Sequence, residues 1–296
     1  MPKLITSPTT PWFARSDLTL ERTIAVSASP FSGKYRTQEF DAVYWHGTAT
    51  LPRMNRTQAR EWQAFLLNLV GIKNYFLFID PDATTPQGTY DGGCLKGNIR
   101  VNGGTAVTSA VLTFSGNAIT CTTSVFGNLV IGDFITTSGA VNAENNTTHK
   151  VTAVTSASSI SVDTALTTES STAACKVRQN IKGSTALSLE ASSNTYAGTL
   201  KKGDYIAVYD GAATTSSRVQ LLMVTEDATE TTQSGSPNHF SVRTEPKLRQ
   251  DLTDTHLVGF SSAYNKSQFR LSTNAAQWNA NEISLYGITI PFIEVL

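Results

Sequence analysis

The chain has 296 residues, a formal net charge of zero and only 16 % charged side chains. That length suits two or three small domains or one large β domain, and the charge balance argues against a dedicated nucleic-acid binder, which needs a basic face to displace counterions, while leaving room for a locally charged surface. No apolar run approaches the roughly 20 residues that span a bilayer, and Met1–Thr10 carries no basic region followed by an apolar run. The three cysteines, Cys94, Cys121 and Cys175, stand far apart without CxxC spacing. Reduced, packed thiols of a cytosolic product fit that pattern, so a soluble intracellular protein is expected, with no membrane and no specific nucleic acid among its partners.

In chain order, Pro2, Pro8 and Pro11 make the first dozen residues an extended arm. Strands are predicted over Leu18–Ala28 and Thr37–Thr50, joined by a turn at Ser29-Pro30-Phe31-Ser32-Gly33. Around Tyr44-Trp45 large residues alternate onto both faces, as in a strand covered on one side and contacted on the other. The one unambiguous helix runs over Asn55–Gly71. Ala59, Trp62, Phe65, Leu66, Leu69 and Val70 fall on one face at three- and four-residue spacing, so Trp62, Phe65, Leu66 and Leu69 are predicted core. Asn55 and Gln58 form a candidate capping box, and Gly71 is the expected left-handed terminator. A short strand, Tyr75–Ile79, follows and ends at Asp80-Pro81-Asp82. Hairpin, helix and strand predict a compact α+β unit over residues 1–100.

After the glycine-rich stretch 88–104 the composition shifts to Thr, Ser, Ala and Val in short alternating segments, the pattern of a small barrel or sandwich. This half repeats. Leu129–Ile135 (LVIGDFI) is answered by Leu200–Ile206 (LKKGDYI), Val151–Thr155 by Leu221–Thr225, Ile160–Thr164 by Phe240–Thr244, and Val101–Ala106 by Ile181–Ala186. Two consecutive copies of one β module are predicted, over 101–176 and 177–249, with 250–296 returning to the core. Within the repeat, Gly132-Asp133 and Gly203-Asp204 suit tight turns, because Gly permits φ > 0 and Asp bonds back to the backbone. The final segment, Ile283–Val295, reads as a long strand that closes a sheet begun much earlier.

Little chemistry is visible. There is no GxSxG, HExxH or phosphate loop. His46, His149, His239 and His256 are scattered singly, as structural histidines are. Asp80, Asp82 and Asp91 outline a calcium loop only loosely, since Pro81 and irregular spacing suit a turn better. Trp12, Phe13, Tyr44 and Trp45 suit core or subunit packing better than a sugar platform. No catalytic residue, cofactor or metal is predicted.

Residues Ser29–Gly33, Gln38-Glu39-Phe40 with Trp45, Thr50-Leu51-Pro52, Ala59–Leu66, Gly71 and Phe76–Asp80 occur in an order that resembles the N-terminal part of tailed-phage (siphophage-type) distal tail proteins. Leu200–Ile206, Val242–Arg249, Phe269-Arg270-Leu271 and Phe292-Ile293-Glu294 extend the likeness to the C-terminal part. Thr105–Lys176 departs from shorter members of that family and reads as an inserted, duplicated module. The resemblance implies a mainly β protein with a β-sandwich or split-barrel ring domain and one long helix, to which the internal repeat adds two small barrel-like modules; what the insert does is not carried over from the family. The resemblance implies a structural tail-tip component of the virion, assembled in the host cytoplasm into a usually hexameric ring. That ring would join the tail-tube protein to the tip hub, or baseplate, beside the tape-measure protein. The alternatives are a virion protein that binds host-surface glycan through the modules, a tail-tube subunit, and a tail-associated hydrolase. For the ring, the arm and the aromatic residues Trp12, Phe13, Tyr44 and Trp45 are the expected subunit contacts.

Overall fold

The computed structural model describes residues 1–29, 31–89, 99–101, 107–127, 129–170, 175–191, 198–210, 218–229, 239–252, 256–260, 265–281 and 285–295. The protein is mainly antiparallel β with one α-helix among the described residues, and it divides into two compact units, Met1–Thr84 with Asn265–Leu296, and Thr85–Tyr264.

The first unit holds a five-stranded sheet in the order Arg15–Ala28, Tyr35–Thr50, Thr289–Glu294, Ser267–Leu271 and Phe76–Phe78. The C-terminal strand lies between the second strand and Ser267–Leu271, with Gly47 opposite Phe292 and Leu271 also opposite Phe292. A sheet begun by the first fifty residues is thus joined by the last ten, as the terminal position of that segment suggests, although the strand in it is Thr289–Glu294 and not the whole of Ile283–Val295.

The helix, Arg56–Leu69, forms where its periodicity requires. The Asn55 side chain accepts from the Gln58 N–H at 3.0 Å and the Gln58 side chain accepts from the Asn55 N–H at 3.3 Å, closing the capping box. Ala59, Trp62, Phe65, Leu66 and Leu69 are buried. Two details differ from expectation. Val70 is 59 % exposed and itself takes the left-handed conformation at φ 51°, with Gly71 following at φ 63°. The chain turns away from the sheet one residue early, so Val70 leaves the apolar face.

Beneath the helix the core is a train of aromatic rings. Phe13 lies 5.3 Å from both Trp62 and Phe78, Phe65 lies 5.6 Å from Phe76, and Phe78 lies 4.4 Å from Phe292 and 5.6 Å from Phe269. Edge-on and tilted ring pairs at these separations add to the area they bury. Val43, Trp45 and Ala49 point into the same core, while Tyr44, His46 and Thr48 alternate onto the helix-free face.

In the second unit, one six-stranded sheet has the order Val107–Ala110, Cys175–Arg178, Phe134–Ser138, Thr148–Ser156, Ser159–Ser170 and Leu112–Cys121. Its first and last members are separated in the chain only by Val111, so the sheet curls back on itself. A closed barrel runs Ile99–Val101, His256–Gly259, Tyr205–Asp210, Arg218–Val224, His239–Glu245 and Ala186–Ala191. Numbered along the chain within each copy, both sheets read 1-6-3-4-5-2. The repeat seen in the sequence is therefore a repeat of topology.

Its boundaries need correction. The barrel's first strand, Ile99–Val101, precedes the other module, and its last, His256–Gly259, lies beyond residue 249. The copies are nested rather than consecutive: residues 107–178 are inserted between the first and second strands of the barrel. Residues 250–260 accordingly belong to the barrel and not to the C-terminal return. The register also shifts. Gly132 N–H donates to Val151 O and Val151 N–H to Asp133 O, both at 2.8 Å. Gly203 N–H to Val224 O and Val224 N–H to Asp204 O repeat the pair at 2.8 Å. Val151 thus corresponds to Val224 and not to Leu221, which the residue-by-residue likeness favours. The block Val101–Ala106 lies mostly outside the described residues, as does Cys94.

Candidate assembly surface

The first two strands form a hairpin much longer than the sheet that supports it. Cross-strand pairing runs from Arg15–Thr50 to Ala28–Tyr35 with one irregularity between Arg22 and Ile24. Between Glu21 and Phe40 the described side chains are exposed, apart from half-buried Ser29, so the outer half of the ribbon leaves both faces uncovered. Pairing of Ile24 with Glu39, Val26 with Thr37 and Ala28 with Tyr35 places Ile24, Val26 and Tyr35 on one face. Their exposures are 49 %, 60 % and 73 %, and Phe31 in the turn is 98 % exposed. Arg22 and Glu39 bridge the strands at 3.6 Å. A two-stranded ribbon with no third strand and no covered face is marginal in water. A contiguous apolar strip on such a ribbon marks a contact surface.

At the base of the hairpin the helix-free face carries ionisable groups. Asp17, Glu21, Tyr44 and His46 line an open hollow of about 410 Å³. His46 Nε2 stands 3.3 Å from Glu21 Oε2. A hydrogen bond to Glu21, with desolvation and the carboxylate's charge behind it, raises the Tyr44 phenol above its ordinary value.

The residues expected to anchor subunits separate into two groups. Phe13 and Trp45 are 8 % and 4 % exposed, packed inside their own chain, and the Trp45 N–H donates to Glu294 Oε2 at 3.2 Å. They are core residues and do not offer an interface, because each points to the helix side of the sheet. Trp12 and Tyr44 remain partly accessible, Trp12 with Lys266 Nζ 5.6 Å from its ring centroid. The arm is likewise held by its own unit: Ile5 N–H donates to Tyr75 O at 2.8 Å, Tyr75 N–H to Lys3 O at 3.1 Å, and Lys3 N–H to Asn74 Oδ1 at 3.0 Å. The accessible apolar strip lies instead at Ile24, Val26, Phe31 and Tyr35. The spacing of Ile24, Val26 and Ala28 at every second residue, with Thr23, Ala25 and Ser27 between, was its only sequence signal, and that spacing equally describes a strand with a buried face.

The repeated Gly-Asp turns are structural. Gly132 and Gly203 have φ 100° and 97°. Asp133 Oδ2 accepts from Val130 N–H at 3.1 Å and Asp204 Oδ2 from Lys201 N–H at 2.8 Å, the same turn in both copies. The other oxygen reaches outward. Asp133 Oδ1 accepts from Ser241 Oγ of the barrel at 3.0 Å, and Asp204 Oδ1 accepts from Gln87 N–H at 2.7 Å. Beside the first turn, the Arg243 guanidinium lies 4.2 Å from the Phe134 ring centroid. The inserted module is therefore fastened to its twin.

The histidines take separate environments. His149 is fully buried among Thr137, Asn145 and Thr164, and burial lowers its pKa below the ordinary 6.5. His256 is buried beside Gln250, and the His239 side chain lies outside the described residues. Asp80 Oδ1 accepts from Ser16 Oγ at 2.8 Å and from Asp82 N–H at 3.2 Å, which makes it a turn residue; Asp91 lies outside the described residues. Among the described residues no group of three or more His, Cys, Asp or Glu side chains is placed to hold a metal, and no helix is long and apolar enough to cross a membrane. Neither a protein-family model nor a curated protein matches the sequence.

Proposed function

We propose that this protein is a structural component of a phage tail tip, which associates with copies of itself into a ring between the tail-tube protein and the tip hub, with the tape-measure protein as a further neighbour. The observation that carries the reading is the outer half of the Arg15–Ala28/Tyr35–Thr50 hairpin, exposed on both faces and bearing Ile24, Val26, Phe31 and Tyr35. A self-assembling protein needs a projecting, two-sided, partly apolar element that gains its cover from a neighbour, and repetition of one head-to-tail contact closes into a ring. The order of motifs shared with distal tail proteins supports the same reading, with six copies expected.

Cryo-electron microscopy of intact virions is the decisive measurement. The expected result is this chain in a ring at the tube–hub junction, burying more than about 1,000 Å² per contact, with the hairpin in that contact. Finding the chain only in fibres or in the capsid overturns the proposal.

A further inference from the structure

We infer that the first unit carries a binding site for a saccharide bearing a carboxylate or phosphate, in the cleft beside Trp278. The cleft, about 550 Å³, is lined among others by Arg53, Gln277, Trp278, Asn279, Asn281 and Thr289. That volume is ordinary for a small-ligand site. Trp278 is 39 % exposed, so part of its indole is available to an apolar sugar face, as stacking requires.

The polar groups around it are held in place. Asn279–Ala280 pairs with Tyr286–Gly287 as a short hairpin. The Asn279 Oδ1 accepts from Gly287 N–H at 3.1 Å and the Asn281 Oδ1 from Leu285 N–H at 2.7 Å. Gly287 permits this approach, since a Cβ there would stand 2.5 Å from Asn279 Oδ1. With both carbonyl oxygens fixed to backbone, the two amide NH₂ groups are oriented donors that make no hydrogen bond to described residues. Oriented amides flanking an exposed ring match the hydroxyls and the apolar face of a pyranose.

Charge narrows the ligand. Among the described residues no Asp or Glu lines the cleft, and Arg53 is exposed with no ion-pair partner among them; Glu282 lies outside the described residues. A guanidinium at such a rim favours an acidic substituent. The two modules are poorer candidates: Phe114, Phe126, Phe134, Tyr205, Tyr209 and Phe260 are all buried, leaving no exposed ring among their described aromatics.

The inference is independent of the ring reading, because it concerns one chain and is measured on purified full-length protein. A glycan array pairing uronate-, sialate- and phosphate-bearing saccharides with their neutral counterparts identifies the probe, and calorimetric titration of that probe gives affinities. The expected result is binding of an acidic probe, weakened at least about tenfold in Trp278→Ala. Arg53→Ala should bring the acidic and neutral affinities to within about twofold of each other. Thermal melting of both variants should match the parent, since both side chains are exposed. Absence of binding to every probe overturns the site, as does a binder indifferent to Trp278→Ala or one that prefers the neutral sugar. Loss of self-association in Trp278→Ala without any saccharide binding overturns it too, and assigns the cleft to a subunit contact.

Discussion

Asp133 accepts a hydrogen bond from Ser241 at 3.0 Å, although 108 residues separate them and each belongs to a different copy of the repeated module. The carboxylate is fully buried and also holds its own turn through Val130 N–H. Nesting explains the contact: a module inserted between two strands of its twin leaves and re-enters beside that twin. Asp133→Ala should cost about 2–3 kcal/mol and Ser241→Ala about 1 kcal/mol, as buried hydrogen bonds to charged groups do. Urea denaturation of both single variants and the double variant should give a coupling of at least about 0.5 kcal/mol. Strict additivity would mean that the two copies are not joined here.

His149 makes stability depend on pH. Its imidazole is buried, with Nε2 3.2 Å from Thr137 Oγ1 and Nδ1 3.3 Å from Thr164 Oγ1, and desolvation lowers its pKa. The unfolded chain then binds the proton more readily than the folded one. The contribution of His149 is fully present above its unfolded value near 6.5 and is lost as pH falls through the range between that value and the lowered folded one. The melting temperature should drop on acidification from pH 7 to pH 5, and His149→Gln should flatten that part of the profile. An unchanged slope in the variant assigns the effect to other groups.

The arm reverses an expectation. Extended, proline-rich sequence suggests that residues 1–13 serve only a neighbour, so that their removal leaves the monomer folded. Phe13 instead closes the aromatic train between Trp62 and Phe78. Phe13→Ala and Trp62→Ala should each cost about 3–5 kcal/mol, and deletion of residues 1–13 at least as much. Circular dichroism melts of the three variants decide it; melts equal to the parent's would place the arm outside the core.

What was legible in the sequence follows the range of the forces involved. The helix over Arg56–Leu69 is written in local spacing and in the Asn55–Gln58 capping pair, and both are realised. The Gly-Asp turns are equally local. The order of strands is not. Ile99–Val101 completes a barrel whose other members begin at Ala186, and no local pattern marks a three-residue strand as the property of a distant module. Burial is intermediate. Alternation separates Trp45 from Tyr44, but which set faces the core depends on where the helix lies, so Trp45 is read as an interface residue although it is core. The apolar strip of the hairpin was missed for the same reason: Ile24 and Val26 have the pattern of any buried strand face until the sheet proves too short to cover them.

The hairpin gives the last prediction. Because Val26 and Tyr35 are 60 % and 73 % exposed, replacing both with Glu should leave the monomer's stability within about 0.5 kcal/mol of the parent. The same changes put two carboxylates on one face of the ribbon, position 26 opposite Thr37 and position 35 opposite Ala28, two and four pairs along from Ile24–Glu39. A contact that covers this face must then desolvate them without a partner, at a cost of several kcal/mol. Association should fail while folding persists. Sedimentation velocity, run alone and with the tube and hub proteins present, separates the two effects. Rings formed equally well by the Val26→Glu/Tyr35→Glu protein would show that the hairpin stays in solvent within the assembly, and the contact would then have to be sought on the helix-free face around Tyr44 and His46.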